Sequence, residues 1–121
     1  MPEKLFEPMV FVDLETTGAT GTVDRITEIG IVEVNEEGEV REWSSLVNPQ
    51  TSIPPFIQNL TGISDAMVAE APTFEELAEE VLMRLHGRLF VAHNARFDYG
   101  FLKNEFKRVG VDFKATVLCT V

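Results

Sequence analysis

Residues 10–18 read Val-Phe-Val-Asp-Leu-Glu-Thr-Thr-Gly, a short apolar strand that ends on two carboxylates one residue apart and passes at once into a turn. Side chains alternate faces along a strand, so Asp13 and Glu15 project on the same side. Two like charges at the end of a buried strand repel each other unless a cation or a proton lies between them. A divalent metal is the economical occupant, and the strand must therefore deliver its carboxyl end to a place that such an ion can reach.

The rest of the chain has to supply the sheet around that strand. Its 121 residues, 45 % of them hydrophobic, suffice for one domain with a real core, read here as spanning residues 1–121. No apolar run approaches the ~18–20 residues of a membrane span. Met1-Pro2-Glu3-Lys4 lacks the basic and apolar regions of a signal peptide, so a cytoplasmic chain without a membrane partner is expected. The single cysteine, Cys119, has no neighbouring Cys or His to suggest zinc and reads as a buried strand residue.

A formal net charge of −10 opposes nucleic-acid binding at first sight, since neutralising phosphates takes a basic surface. The distribution softens that objection. Residues 1–88 carry 17 acidic and 5 basic side chains, whereas residues 89–121 carry 3 acidic and 5 basic. The acid runs Glu36, Glu37, Glu39 and Glu75, Glu76, Glu79, Glu80 read as solvated surface.

After the first strand, residues 26–34 and 40–47 flank the turn Asn35-Glu-Glu-Gly38 and predict a hairpin. Ile53-Pro54-Pro55 breaks the sheet and starts a short helix through Leu60, ended by Thr61-Gly62. Thr73 and Glu76 form a capping box for an amphipathic helix that runs to Leu85 ahead of Gly87. Leu89 to Ala92 reads as a buried strand, Asn94 as the cap of a helix running to Val109, and residues 115–121 as a last strand. Three strands followed by alternating helix and strand predict an α/β sheet with a hairpin portion.

His93-Asn94-Ala-Arg-Phe97-Asp98 lies at the junction of the fourth strand and its helix. Asp98 precedes Phe101 and Leu102 by three and four residues, which puts it on their inward face. A first-turn acid also complements the helix dipole, and by itself that reading is as good as a functional one. Sheets of this class present functional groups at the carboxyl ends of their strands. If the first and fourth strands are neighbours, Asp13, Glu15 and Asp98 converge.

Asp13-Leu-Glu15-Thr16-Thr17-Gly18 together with His93-Asn94-x-x-Phe97-Asp98 resembles the first two motifs of the DEDD superfamily of 3′→5′ exonucleases, and is most similar to its histidine branch, which includes the proofreading subunit of a bacterial replicative polymerase. Asp24-Arg-Ile-Thr-Glu28-Ile and Leu60-Thr-Gly-Ile63 also look like that family, so the likeness covers nearly the whole chain. It implies a ribonuclease-H-like fold, a mixed sheet of five strands flanked by helices, truncated here before the last helices. It also implies two Mg²⁺ or Mn²⁺ ions, with Asp13 bridging both, Glu15 on the ion that activates water, and Asp98 supporting the second through water. Two such ions about 3.5–4 Å apart suit phosphodiester hydrolysis, and oxygen ligands suit these metals. Thr16, Thr17 and Gly18 would lie against the terminal nucleotide, Thr61, Gly62 and Ile63 beside its base, and Phe97 beside the sugars. Without the resemblance, Ile63 and Phe97 read as core packing.

The same likeness places His93, with Asn94, at the strand–helix junction, ordering the loop or touching substrate. His86, at a helix end, reads as a dipole partner on the surface. Glu28, an acid within an apolar strand, is expected to accept hydrogen bonds from the loop around Thr17. The family's general-base histidine and fourth carboxylate have no counterpart before Val121, so the chain is expected to be an N-terminal piece, inactive or weak alone. Its uncovered sheet would favour homodimers. Expected partners are the single-stranded 3′ end of DNA or RNA and a DNA polymerase. A catalytically silent nucleic-acid-binding or polymerase-interaction module is the alternative. An aspartyl phosphatase fits less well, because Glu15 stands where its second Asp belongs.

Overall fold

The alternation of residues 9–16 does become a strand. In the computed structural model, which describes residues 7–119, β1 (Met9–Thr16) buries Val10, Val12 and Leu14 and leaves Phe11 and Asp13 exposed. β2 (Ile26–Val34) pairs with it antiparallel, and β3 (Val40–Leu46) pairs antiparallel with β2. Their turn closes where predicted: Asn35 Oδ1 accepts the backbone N–H groups of Glu37 and Glu39, and Gly38 takes a φ of 82°.

β4 (Leu89–Ala92) lies parallel to β1 on its other side, and β5 (Val117–Cys119) parallel to β4, for a sheet order β3-β2-β1-β4-β5. This is the mixed five-stranded sheet expected. The helices are α1 (Pro55–Thr61), α2 (Asp65–Val68), α3 (Phe74–Leu85) and α4 (Ala95–Arg108). The Thr73 hydroxyl and Glu76 carboxylate form the predicted capping box of α3. Pro55 occupies the first turn of α1, and Gly62 ends it in the left-handed region at φ 77°.

α3 and α4 share one core with the sheet: Val10, Val12, Ile29, Ile31 and Phe90 meet Phe74, Val81, Leu85, Phe101, Leu102 and Phe106. Phe74 and Phe106 join the two helices edge to face at 5.0 Å. A smaller core of Ile53, Ile57, Ile63 and Val68 holds α1 and α2. The opposite sheet face keeps Phe11 and Leu118 exposed. There β1–β4 and His93 enclose a concavity of about 590 Å³, bordered by Asp13.

Two sequence expectations need correction, and one short helix was not foreseen. Asn94 stands at the N-cap of α4 but its side chain makes no capping bond, because its backbone (φ −122°, ψ 77°) lies outside the extended region that aims a cap side chain at the first turn. α4 ends at Arg108 with Val109 as its cap, followed by Gly110 at φ 83°. α2, a four-residue helix capped by Ser64, was not legible. Cys119 is in β5 as expected, while its side chain and residues 120–121 lie outside the described residues.

Candidate active site

β1 and β4 are neighbours, and their parallel pairing stops at Phe11↔Val91. Beyond that point the strands run on to Asp13 and Glu15 on one side and to His93 on the other. α4 begins there at Ala95 and carries Asp98 in its first turn. Inward spacing with Phe101 and Leu102 buries Asp98, which is 7 % exposed. The three carboxylates singled out from sequence are thus brought to one end of the sheet.

Their electrostatics register the proximity. Asp98 is pushed up from its ordinary 3.8 to about 6, first by burial and then by the charge of Asp13, with Glu15 adding to it. His93 and a backbone hydrogen bond from Leu14 pull in the opposite direction. Glu15 is raised by burial, then by Asp13 and by Glu28. Glu28 faces Glu15 directly across the β1–β2 ladder, so both side chains stand on one side of the sheet.

Among the described residues, no three His, Cys, Asp or Glu side chains are gathered tightly enough to grip a metal ion. The donor chemistry nevertheless fits hard divalent cations: every candidate ligand is a carboxylate, and burial followed by the charge of Asp13 raises the proton affinity of the other two.

The loop after β1 is braced by a residue that sequence reasoning did not single out. Thr17 Oγ1 donates to Asp24 Oδ1 at 3.0 Å and accepts from the Arg25 N–H at 3.0 Å. The Thr17 N–H donates to the Arg25 carbonyl at 2.8 Å, and Thr20 N–H to Asp24 Oδ2. Asp24 therefore takes the part expected of Glu28. Thr17 is 2 % exposed, so its hydroxyl serves the loop and not a ligand. Thr16 is buried as well and donates to the Gly18 carbonyl at 2.7 Å. Gly18 is needed for space, since a Cβ there would come within 2.5 Å of Asp24 Oδ2.

A second unread residue is Glu105, 1 % exposed on the inward face of α4. Its carboxylate accepts from Arg25 Nε and Nη2 and from the Ile26 N–H, and pairs with Arg108 at 3.2 Å. Its position beside Phe101, Leu102 and Phe106 carries the signal that marked Asp98 as inward.

The remaining candidates divide. Phe97 is half-buried against Phe101 at 4.7 Å and lines a concavity with residues 19–22, so it can meet a ligand. His93 and Asn94 are exposed at the site. Ile63 belongs to the smaller core, Thr61 Oγ1 donates to the Ile57 carbonyl at 2.9 Å, and Gly62 is the exposed end of α1. His86 caps the far end of α3, just before β4, whereas His93 follows that strand.

Residues 10–121 match the family model RNase_T, described as exonuclease. A 3′-5′ exonuclease DinG of Bacillus subtilis is 48 % identical over 103 residues, covering 84 % of this chain and 11 % of the relative. A PolC-type DNA polymerase III of Caldanaerobacter subterraneus is 42 % identical over 112 residues, covering 93 % of this chain and 8 % of the relative. The chain thus spans about a tenth of these proteins. Escherichia coli exonuclease I in complex with a dT13 oligonucleotide superposes with a TM-score of 0.80 at 19 % identity, over 94 % of this chain and 28 % of that one, and shares the ribonuclease-H-like fold.

Proposed function

The chain belongs to the RNase_T exonuclease family, and on that premise we propose that it is the carboxylate-bearing part of a metal-dependent exonuclease that removes nucleotides from a single-stranded 3′ end of DNA or RNA. The observation that carries this reading is the meeting of Asp13, Glu15 and Asp98 at the carboxyl ends of the adjacent parallel strands β1 and β4, two of them with raised proton affinity. Asp13, Glu15 and Asp98 would hold two Mg²⁺ or Mn²⁺ ions, whose chemistry when bound is to supply a nucleophilic water and to neutralise charge on the phosphodiester.

The chain's own groups have positioning tasks. Asp13 and Glu15 sit on a strand that pairs with β2 at both positions and with β4 up to Phe11, so the spacing of their backbones is set by the sheet. Asp98 is fixed by burial and by the Leu14 backbone. The Thr16–Gly18 segment, held by Asp24 and Arg25, would present its backbone to the terminal nucleotide. His93, Asn94 and Phe97 would flank that nucleotide, with Thr61, Gly62 and Ile63 beyond its base. His93 belongs to the junction, and His86 is remote, so neither is assigned as general base. The chain alone is expected to cut weakly or not at all. Proofreading or repair would be its setting, and a polymerase its partner.

Degradation of a 5′-labelled single strand with Mn²⁺ tests the proposal, using the chain alone and joined to any sequence that naturally follows it. A ladder shortening from the 3′ end and lost in Asp13→Ala supports it. Binding without any Asp13-dependent cutting by the longer form would mean a silent binding module instead.

A further inference from the structure

On α4, Arg96, Lys103 and Lys107 stand seven and four residues apart, the spacing that stacks side chains on one helix face, and all three are exposed. Most other cations are committed to carboxylates: Arg25 and Arg108 to Glu105, Arg84 and Arg88 to Glu33, Lys114 to Asp112. Among the described residues, only the three on this stripe and Arg41 of β3 form no ion pair with an acid. Lys103 instead lies 5.8 Å over the Tyr99 ring. The stripe starts two residues before Asp98 and extends about 16 Å at 1.5 Å per residue.

Its middle is bare. Gly100 occupies the same face four residues after Arg96, in a helix interior that disfavours glycine, and a Cβ there would meet nothing within 4 Å. Packing gives no reason for that glycine. Arg96, Gly100 and Asn104 also form one wall of a concavity of about 430 Å³ whose other wall is the Ala19–Thr22 loop. Lys103 and Lys107 line a second of about 360 Å³ with Gly110, Val111 and Asp112.

A chain of formal charge −10 that gathers carboxylates at its site repels the phosphodiester it is to receive. Uncommitted cations on the helix that carries Asp98, on its exposed face, offset the repulsion. We propose that this face of α4 is the track for the phosphate backbone of the strand 5′ to its terminal nucleotide, with Arg96 nearest the site, Lys103 and Lys107 following, and Gly100 admitting the strand close to the helix backbone. Sixteen ångströms matches about five nucleotides of stacked strand at 3.4 Å each. The proposal rests on the nuclease reading above.

The test is fluorescence anisotropy of the chain with a 3-mer and a 12-mer oligothymidylate, both ended in phosphorothioates to block cutting, over a KCl series. The 12-mer is expected to bind more tightly. Its salt slope should shrink by about 0.7 for each of Arg96→Ala, Lys103→Ala and Lys107→Ala, and by about 2 in the triple variant. Arg41→Ala should leave the slope unchanged, and the 3-mer should be indifferent to the two lysines. Gly100→Leu should weaken the 12-mer with no change of slope. A triple variant with the parent slope, or an Arg41→Ala effect equal to that of a stripe variant, overturns the track while leaving the nuclease reading intact. A parent chain that binds neither oligomer overturns both.

Discussion

Arg25 and Glu105, 80 positions apart, meet along one guanidinium edge: Nε donates at 3.0 Å and Nη2 at 2.8 Å to a carboxylate that is 1 % exposed. The same carboxylate takes the Ile26 N–H at 3.1 Å. Arg25 also holds Thr17 through its backbone, so the loop after β1 and the helix that carries Asp98 are tied at one point. Arg108 adds a second tie, from Glu105 to the Gly21 and Thr22 carbonyls.

Glu105→Leu is therefore expected to destabilise the chain by about 2–4 kcal/mol in urea unfolding, because it strands the Ile26 N–H and a partly buried guanidinium. Glu105→Gln keeps an acceptor for Ile26 and should cost less. Equal losses in the two variants would mean that packing, not hydrogen bonding, sets the role of this side chain.

Gly18→Ala should cost about 1–3 kcal/mol, since its Cβ would enter the Asp24 carboxylate that orders Thr17 and Thr20. Asp24→Asn in the same background should not restore the parent stability, because the space remains filled. Hydrogen exchange would show faster loss of the Arg25 N–H in both variants.

The legible part of this molecule is what local spacing controls. Alternation placed Asp13 and Glu15 on one face of β1, and i+3/i+4 spacing turned Asp98 inward. Caps and turns followed the same logic at Thr73, Gly62 and Gly38. What escaped depends on how distant segments meet. Thr17 was assigned to Glu28, which is on the neighbouring strand, yet residues 18–24 double back and bring Asp24 under Gly18 instead. Glu105 could have been read as inward by the argument used for Asp98, but nothing local announces Arg25 as its partner. Asn94 has the right identity for a cap and the wrong backbone angles.

Ile63 and Phe97 were each readable as core or as substrate contacts, and the fold buries Ile63 in the smaller core while it leaves Phe97 half-buried beside a concavity. Ile63→Ala should lower stability by about 2–4 kcal/mol, because the side chain is 4 % exposed in a four-residue core. Phe97→Ala removes a half-buried ring stacked on Phe101 beside the concavity, and its larger effect should be a raised KM in the oligonucleotide assay with a smaller stability loss. A reversal of the two patterns would exchange their roles.

The raised Asp98 carboxyl makes stability and metal affinity respond oppositely to pH. Its native pKa of about 6 exceeds the ordinary 3.8, so the native state binds the proton more tightly than the unfolded chain does. The stabilisation from that proton is complete below about pH 3.8 and is lost as pH rises through about 6, and Glu15 contributes in the same direction. Asp98→Asn, which has no proton to lose, should remove part of the decline in Tm between pH 5 and pH 7 in metal-free buffer. A divalent cation competes with that proton, so the rise in Tm on adding Mn²⁺ should be larger at pH 7.5 than at pH 5.5. Asp13→Asn should abolish it at both. A Mn²⁺ response independent of pH, or one that survives Asp13→Asn, would place the ion elsewhere than among these three carboxylates.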